Sequence, residues 1–520
     1  MNLALPPSED FPYFLAAFGL ILGVVALCEA LKKFLNVSAK LTRKIVHIST
    51  GVFIFFAPFF FQSNVYPALI PALFIPFNLI AVRFGLLKSL HGDESDTATY
   101  ALNYGTVYFP ISFLLLTLLC WGKYTWILQT SMLVLGLGDA LAALVGENLK
   151  KPRQYKFTTT KSIEGSLVMF IVSFLVLYGC LTLFKPSSAV LSQLSPNVIL
   201  GYALALALAA TAVEALLSGG MDNLFIPVAV AYLLYIPELR GAEFVNSIIL
   251  GASISAAFAR LSLGLKFLNG SGATTTFLLA ANIFSMGGLV WTVPILTFFF
   301  LSSILSKVGK ARKKKFDLIF EKGSERDMGQ VLANGGVGWL LMIWHSFTTD
   351  PAMQQVIYFG YLGTMAAVQA DTWATEIGTM MRNPKPHSII TFKPVPPGTS
   401  GGITTIGTLG GLLGALVICA SAWLSNADGM ARFGLVSSFV FVGASGLIGS
   451  LLDSIFGATL QAQYYDPIRD KITERTHSVR EDGTTIPNNL IKGHHWMDND
   501  LVNLICGITG AGTAMLFGAM

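Results

Sequence analysis

Two acids embedded in apolar sequence carry the chemistry open to this chain. Asp139 lies in GDALAALVGENLKKPRQYKFTTTKSIEG, Gly138 to Gly165, and Asp371 opens DTWATEIGTMMRNPKPHSIITFK, ending at Lys393. A carboxylate is costly to keep inside an apolar helix, so each marks a site. Both stretches fit D-x-x-A-x-x-x-G, with Asp139, Ala142 and Gly146 in one and Asp371, Ala374 and Gly378 in the other. Each places a lysine 22 residues after its aspartate, Lys161 and Lys393. Small residues recur by chance in membrane helices, but intramembrane aspartates do not, so the pattern reads as one kind of site built twice. After Gly146 the chain leaves the helix, crosses a basic loop and reaches Lys161, Ser162, Glu164 and Gly165. Lysines and loop N–H groups are the equipment for binding phosphate.

Such an acid and lysine support three chemistries: holding Mg2+ while the lysine neutralises phosphate, taking a proton from a hydroxyl at the bilayer boundary, or relaying protons in a transporter. Further oxygen ligands suited to a hard cation stand in Asp222-Asn223 and in Asp498-Asn499-Asp500. Glu214 and Asp453 occupy corresponding late helices, giving each half three acidic stations and a lysine loop. His47, in RKIVHISTG, stands at a helix start, where it either serves the acceptor or is simply a satisfied histidine. Glu164 has a plain alternative as part of a helix cap with Ser162. The loop KPVPPGTSGG brings Gly398, Thr399 and Gly401 beside Lys393, either as turn punctuation or as a phosphate cradle. HGDESD, His91 to Asp96, reads as a solvated loop, and Arg312 to Lys315 as a topology signal. No Walker loop, kinase glycine loop or HExxH motif occurs, so phosphoryl transfer here would use a membrane-embedded site.

The elements that must position these groups are membrane helices. Of 520 residues, 53% are hydrophobic and 12% charged, and the mean hydropathy is +0.64. Soluble chains carry about 25% charge, so this is a polytopic membrane protein of the all-α class. The net charge of +5 is gathered in a few loops, as on a cytoplasmic face and not as on a nucleic-acid surface. Five scattered cysteines lack metal spacing. The N-terminus shows no transit or signal pattern, and its first apolar run is expected to remain as a helix.

Apolar runs predict about sixteen spans in two related halves, 1–238 and 239–520. In the first half these lie near 11–33, 45–62, 65–82, 100–121, 125–147, 164–184, 197–217 and up to 236. In the second they lie near 243–264, in a tight pair over 273–305 broken at Gly287-Gly288, and near 328–347, 355–380, 402–425, 434–461 and up to 518. The longest soluble piece is Tyr464 to Trp496. Alternating sides puts every strongly basic loop on one face, expected to be cytoplasmic. Each aspartate then lies roughly 15 Å below that face along its helix.

At these residues the first half, 11–236, resembles the phytol kinase and dolichol kinase family of CTP-dependent polyprenol kinases. The resemblance rests on RKIVHISTG, YGTVYFP, GDALAALVGENLKK, KSIEGS and VEALLSGGMDNLFIP. Lys150 and Thr160 depart from that family's usual glycine and second lysine. The second half, 243–518, resembles the membrane family that includes phytyl-phosphate kinase, through QVLANGGVG, ADTWATEIG, ITFKPVPPGTSGG, GSLLDSIFGATLQAQYYD and WMDNDLVN. The resemblances imply a fusion that turns phytol or a related prenol into its monophosphate and then its diphosphate, using CTP or another nucleotide with Mg2+. They imply a bacterial plasma or thylakoid membrane, with both sites on the cytoplasmic side. In the first half, Asp139 would bind Mg2+ or take the hydroxyl proton, and Lys161 would hold phosphates. Asp222, Asn223 and Glu214 would complete metal and ribose contacts, with His47 near the acceptor. In the second, Asp371 and Lys393 would repeat these roles, with Asp453, Asp498 and Asp500 on the metal side. The competing readings are a two-repeat transporter or flippase and a cytidylyltransferase making CDP-linked lipids.

Overall fold

The computed structural model, which describes residues 7–84, 104–308, 325–381, 384–480 and 483–519, is a set of helices with little sheet. The loop His91 to Asp96, the basic run Arg312 to Lys315, the start of the expected span 100–121 and Arg382 lie outside these residues. The chain divides into two compact units, Met1–Ala252 and Ser253–Met520.

The first unit contains α1 (Asp10–Leu35), α2 (Ala39–Phe56), α3 (Val65–Arg83), α4 (Gly105–Cys120) and α5 (Thr125–Asn148). A hairpin of β1 (Gln154–Lys156) and β2 (Thr160–Ser162) follows, then α6 (Ile163–Leu183), α7 (Pro196–Leu216) and α8 (Asp222–Arg240). Helix α9 (Glu243–Gly264) spans the division. Helix starts follow from capping residues in the sequence. Ser38, Ser162 and Ser195 each accept a hydrogen bond from an N–H in the first turn, and Pro196 stands where its missing N–H costs nothing.

The second unit contains α10 (Gly270–Val308), α11 (Met328–Phe347), α12 (Pro351–Met380), the short pair β3 (His387–Ser388) and β4 (Gly402–Ile403), α13 (Thr405–Ser425), α14 (Leu435–Thr459) and α15 (Asn499–Gly518). Helix α12 is its axis: every residue from Ile357 to Ala370 is buried, and α13, α14 and α15 pack around it. The stretch α10 is broken at Gly288, whose φ of 56° and ψ of −151° end one helix and start the next, at the expected glycine pair. The polar piece after α14 folds into strands that the sequence did not announce. They are β5 (Gln463–Asp466), β6 (Lys471–Thr473), β7 (His477–Val479), β8 (Thr485–Pro487) and β9 (Asn489–Lys492), in a sheet ordered β6–β5–β9 and a β7–β8 hairpin.

Among the described residues, eleven helices are long and apolar enough to cross a membrane. The sixteen expected spans add α2, α4, α11 and α12 and count α10 twice. Helix α4 is short, and α2 carries Lys40, Arg43, Lys44 and His47, so these helices fall outside a length and hydropathy criterion while still packing in the bundle.

Helices α2 and α5 touch at Gly51 and Gly136, where a Cβ on either would lie 2.9 Å from the other's Cα. Gly136→Ala must therefore push the helices apart, and a loss of about 1–3 kcal/mol is expected for such overpacking. Gly19→Ala on α1, with nothing within 4 Å of its Cβ, is the control. Thermal unfolding in detergent should show a lower midpoint for the first variant only; equal midpoints would remove the contact from the account.

Candidate active site

The contact at Gly51 and Gly136 sets α2 against the one irregular turn of α5. Residues Val134–Asp139 form a π-helical turn, a feature that tends to occur at functional sites, and Asp139 ends it. On α2, Lys44 and His47 are three residues apart and so share a face. Lys44 Nζ reaches Asp139 Oδ2 at 2.9 Å, with the two side chains only 8% and 11% exposed. His47 packs edge-on against Phe109, ring centroids 4.8 Å apart, and its Nε2 is buried without a hydrogen-bond partner.

The β1–β2 hairpin carries Lys161, paired across the ladder with Tyr155. Lys161 Nζ donates to Glu214 Oε1 at 2.7 Å and to the Glu214 backbone carbonyl. Burial works against the charge of Lys161, but the Glu214 carboxylate outweighs it and raises the pKa above the ordinary lysine value, so the ammonium persists. The other Glu214 oxygen, Oε2, is buried with no hydrogen-bond partner. At the start of α8, Asp222 accepts from Asn223 N at 3.0 Å, and Asn223 Nδ2 donates to the Gly105 carbonyl at 3.0 Å.

These groups line one cavity of about 890 Å³. It gathers His47, Asp139, Lys161, Ser162, Gly165, Glu214, Asp222 and Asn223, from six separate elements, and adds Lys44. Lys44 is the residue that sequence reasoning misses; its signal is the one-turn spacing to His47 inside RKIVHISTG. Among its lining groups, the carboxylates of Asp139, Glu214 and Asp222 stand with the ammonium groups of Lys44 and Lys161. Among the described residues no three His, Cys, Asp or Glu side chains stand close enough to hold a metal by themselves. Mg2+ needs only one or two carboxylates when substrate phosphates and water supply the rest, and the orphaned Glu214 oxygen would suit such an arrangement.

Glu164 does not line this cavity. Its carboxylate accepts from the N–H of Arg153 at 3.0 Å and from Arg153 Nε at 3.1 Å, tying the hairpin to α6. Gly165 and Gly146 meet where α6 crosses α5. A Cβ on Gly165 would lie 2.9 Å from Ser162 Oγ and 3.5 Å from Gly146 Cα. The motif's glycines thus secure packing, and the packing delivers Asp139 and Lys161 to the cavity.

The same joint recurs in the second unit. Thr404 caps α13 by accepting from Gly407 N at 3.0 Å. A Cβ on Gly407 would lie 2.8 Å from Thr404 Oγ1 and 3.5 Å from Gly378 Cα. Asp371, Ala374, Gly378, Thr404 and Gly407 therefore repeat Asp139, Ala142, Gly146, Ser162 and Gly165. This correspondence moves the lysine. The residue before the capping hydroxyl is Lys161 in the first unit and Ile403 in the second, each in the second strand of its hairpin. Lys393 lies exposed in the connecting loop, so equal spacing from the aspartate does not make it the partner of Lys161.

Asp371 lies near Ser450 and Asp453, and Glu474 lies near Asp453. Asp453 Oδ2 is buried with no hydrogen-bond partner. The loop comes to this cluster through Ser400, whose hydroxyl donates to Glu474 at 3.1 Å. Gly398 and Gly401 hold φ of 88° and 78°, and the Thr399 hydroxyl donates to the Pro396 carbonyl, so these residues build the turn. Asp498 is exposed and caps α15 by accepting from Leu501 N at 2.9 Å, while Asp500 is half-buried in the first turn.

The family described as Integral membrane protein DUF92 matches residues 253–511. Protein PGR of Arabidopsis thaliana is 30% identical over 273 residues, 50% of this chain and 91% of its own length. The Phytol kinase of Synechocystis sp. is 29% identical over 40% of this chain and 85% of its own length. A Probable phytol kinase, chloroplastic, of Triticum aestivum is 32% identical over 41% and 73%. No solved structure matches.

Breaking the buried pair from the lysine side leaves Asp139 without its partner, and Lys44→Met is expected to cost roughly 3–5 kcal/mol. Adding Asp139→Asn should return part of that loss, a coupling that a double-mutant cycle on thermal stability reads directly. Additive effects would mean that the pair contributes nothing.

Proposed function

The chain belongs to the DUF92 family of integral membrane proteins and is similar to phytol kinases, and on that footing we propose that it is a bifunctional isoprenoid alcohol kinase. The first unit phosphorylates phytol or a related prenol, and the second phosphorylates the resulting monophosphate. The observation that carries this reading is the convergence of Lys44, Lys161, Asp139, Glu214 and Asp222 on one cavity of a membrane bundle.

The two ion pairs are suited to exchange. Without a nucleotide, each lysine is held by a carboxylate, so neither charge is buried alone. When the triphosphate of CTP or another nucleotide enters, Lys44 and Lys161 turn their hydrogen bonds to phosphate oxygens. The released carboxylates of Asp139 and Glu214, with Asp222 and Asn223, are then free to hold Mg2+ or receive a proton. Mg2+ would supply charge neutralisation at the transferring phosphoryl group. Asp139 accepts the proton of the prenol hydroxyl as its oxygen bonds to the γ-phosphorus and the bond to the β-phosphate oxygen breaks, releasing the nucleoside diphosphate. His47 stands on the same face as Lys44 and orients the acceptor. The second unit repeats the joint that presents Asp371, with Asp453 beside it. Both sites open to the cytoplasmic side of a bacterial plasma or thylakoid membrane.

The test uses the full chain in lipid nanodiscs with phytol, Mg2+ and CTP labelled at the α- or γ-phosphate. Label should pass from the γ-position into monophosphate and diphosphate. Asp139→Asn should lower all product from phytol by about 10²–10⁴-fold, the range for a lost general base. Asp371→Asn should leave the monophosphate to accumulate. Label from the α-position would make the protein a cytidylyltransferase, and absence of any nucleotide dependence would favour a transporter. If both variants stop at the same step, the division between units is wrong.

A further inference from the structure

The cavity does not end at its charged groups. The helices that wall it grade together from polar to apolar. On α2 the lining runs from Lys44 and His47 through Thr50 to Phe53 and Ile54, and on α4 from Gly105 and Thr106 to Phe109 and Phe113. On α1 it runs from Glu29 to Val25 and Ile21, and on α3 from Asn78 to Phe74 and Ile70. A cluster of Ala17, Ala57, Phe61 and Ile70, with Phe14 and Phe74 against it, floors this apolar branch. Below the floor, Asp10 ties α1 to the connection between α2 and α3: it is fully buried and accepts from Gln62 N at 2.9 Å and from Ser63 N at 3.0 Å.

The branch also has an open side. Its lining residues Leu22 and Phe77 are themselves 42% and 48% exposed, so the wall between α1 and α3 is outer surface. Helix α1, with mean hydropathy 2.4 over its apolar stretch and little of that stretch buried, presents that surface to hydrocarbon. From Lys44 to Ile54 the branch is roughly 15 Å deep at 1.5 Å per residue. An extended phytyl chain is longer than that.

We propose that this branch is the binding site for the isoprenoid tail. The units next to the hydroxyl lie among α1, α2, α3 and α4, and the distal end leaves to the bilayer between Leu22 and Phe77. The proposal rests on the prenol reading of the first unit and adds to it a place of entry and a determinant of selectivity. Substrate reaches the charged end from the lipid phase without crossing water, and its hydroxyl stops at Asp139 because the tail is seated first. Discrimination falls on residues that line the branch, among them Val25 and Phe74.

Two measurements on the full chain in nanodiscs test this. A phytol analogue with a diazirine midway along its tail should label peptides containing Ile21–Val25 and Ile70–Phe77, and unlabelled phytol should compete. This readout needs no turnover. Labelling on these peptides without phosphate transfer would keep the tail site and sink the kinase reading; turnover with competed label elsewhere would do the reverse. Val25→Trp should lower the ratio of kcat/KM for phytol to that for a short prenol by about 10-fold, the scale of a few lost methylene contacts. Leu27→Trp, on the outward side of α1 at 56% exposure, should leave the ratio unchanged. An unchanged ratio in the Val25 variant, or an equal shift in both, would overturn the proposal.

Discussion

A carboxylate held inside a membrane helix is costly unless it is neutralised, hydrogen-bonded or met by a cation, and the first unit uses the cation. Lys44 supplies the cation from α2, and the close passage of Gly51 over Gly136 brings it within 2.9 Å of Asp139. Asp139 closes a π-turn of α5 and meets Lys44 of α2 there. Lys161 then meets Glu214 by a separate route, through the hairpin and the capped start of α6. Two ion pairs formed by four elements fix the geometry of a cavity that a single helix could not build.

The duplicated joint shows which part of this arrangement is scaffold and which part is chemistry. In both units a small residue on the aspartate helix meets a glycine three residues past a capping hydroxyl, and a short hairpin joins the two helices. That joint fixes the position of the acid by sterics and one hydrogen bond. The residues hung on it differ. Lys161 becomes Ile403, and the second unit places Ser450 and Asp453 near Asp371, with Glu474 near Asp453.

Much of this was legible in the sequence, because apolar runs, intramembrane acids and capping hydroxyls act locally. The span positions, the break at Gly288, and the membership of Asp139, Lys161, Glu214, Asp222 and Asn223 in one neighbourhood follow from such signals. What escaped is set by three-dimensional register. Lys44 looked like one of several loop cations until a helix crossing placed it on Asp139. Glu164 and Asp498 carry the same charge as ligands but are consumed by local hydrogen bonds. Lys393 matched in spacing, yet the loop before Ile403 has a different length and conformation, so counting from the aspartate misaligned the repeat. The strands after α14 are short and polar, without the alternation that announces a buried sheet.

The isoleucine at 403 reaches beyond its own hairpin. Where the first unit joins Lys161 to Glu214, the counterpart position offers only an apolar side chain, so an ammonium for phosphate in the second unit would have to come from elsewhere in it. The joint is thus common to both halves while the charge mounted on it is not, leaving each half free to diverge in what it admits.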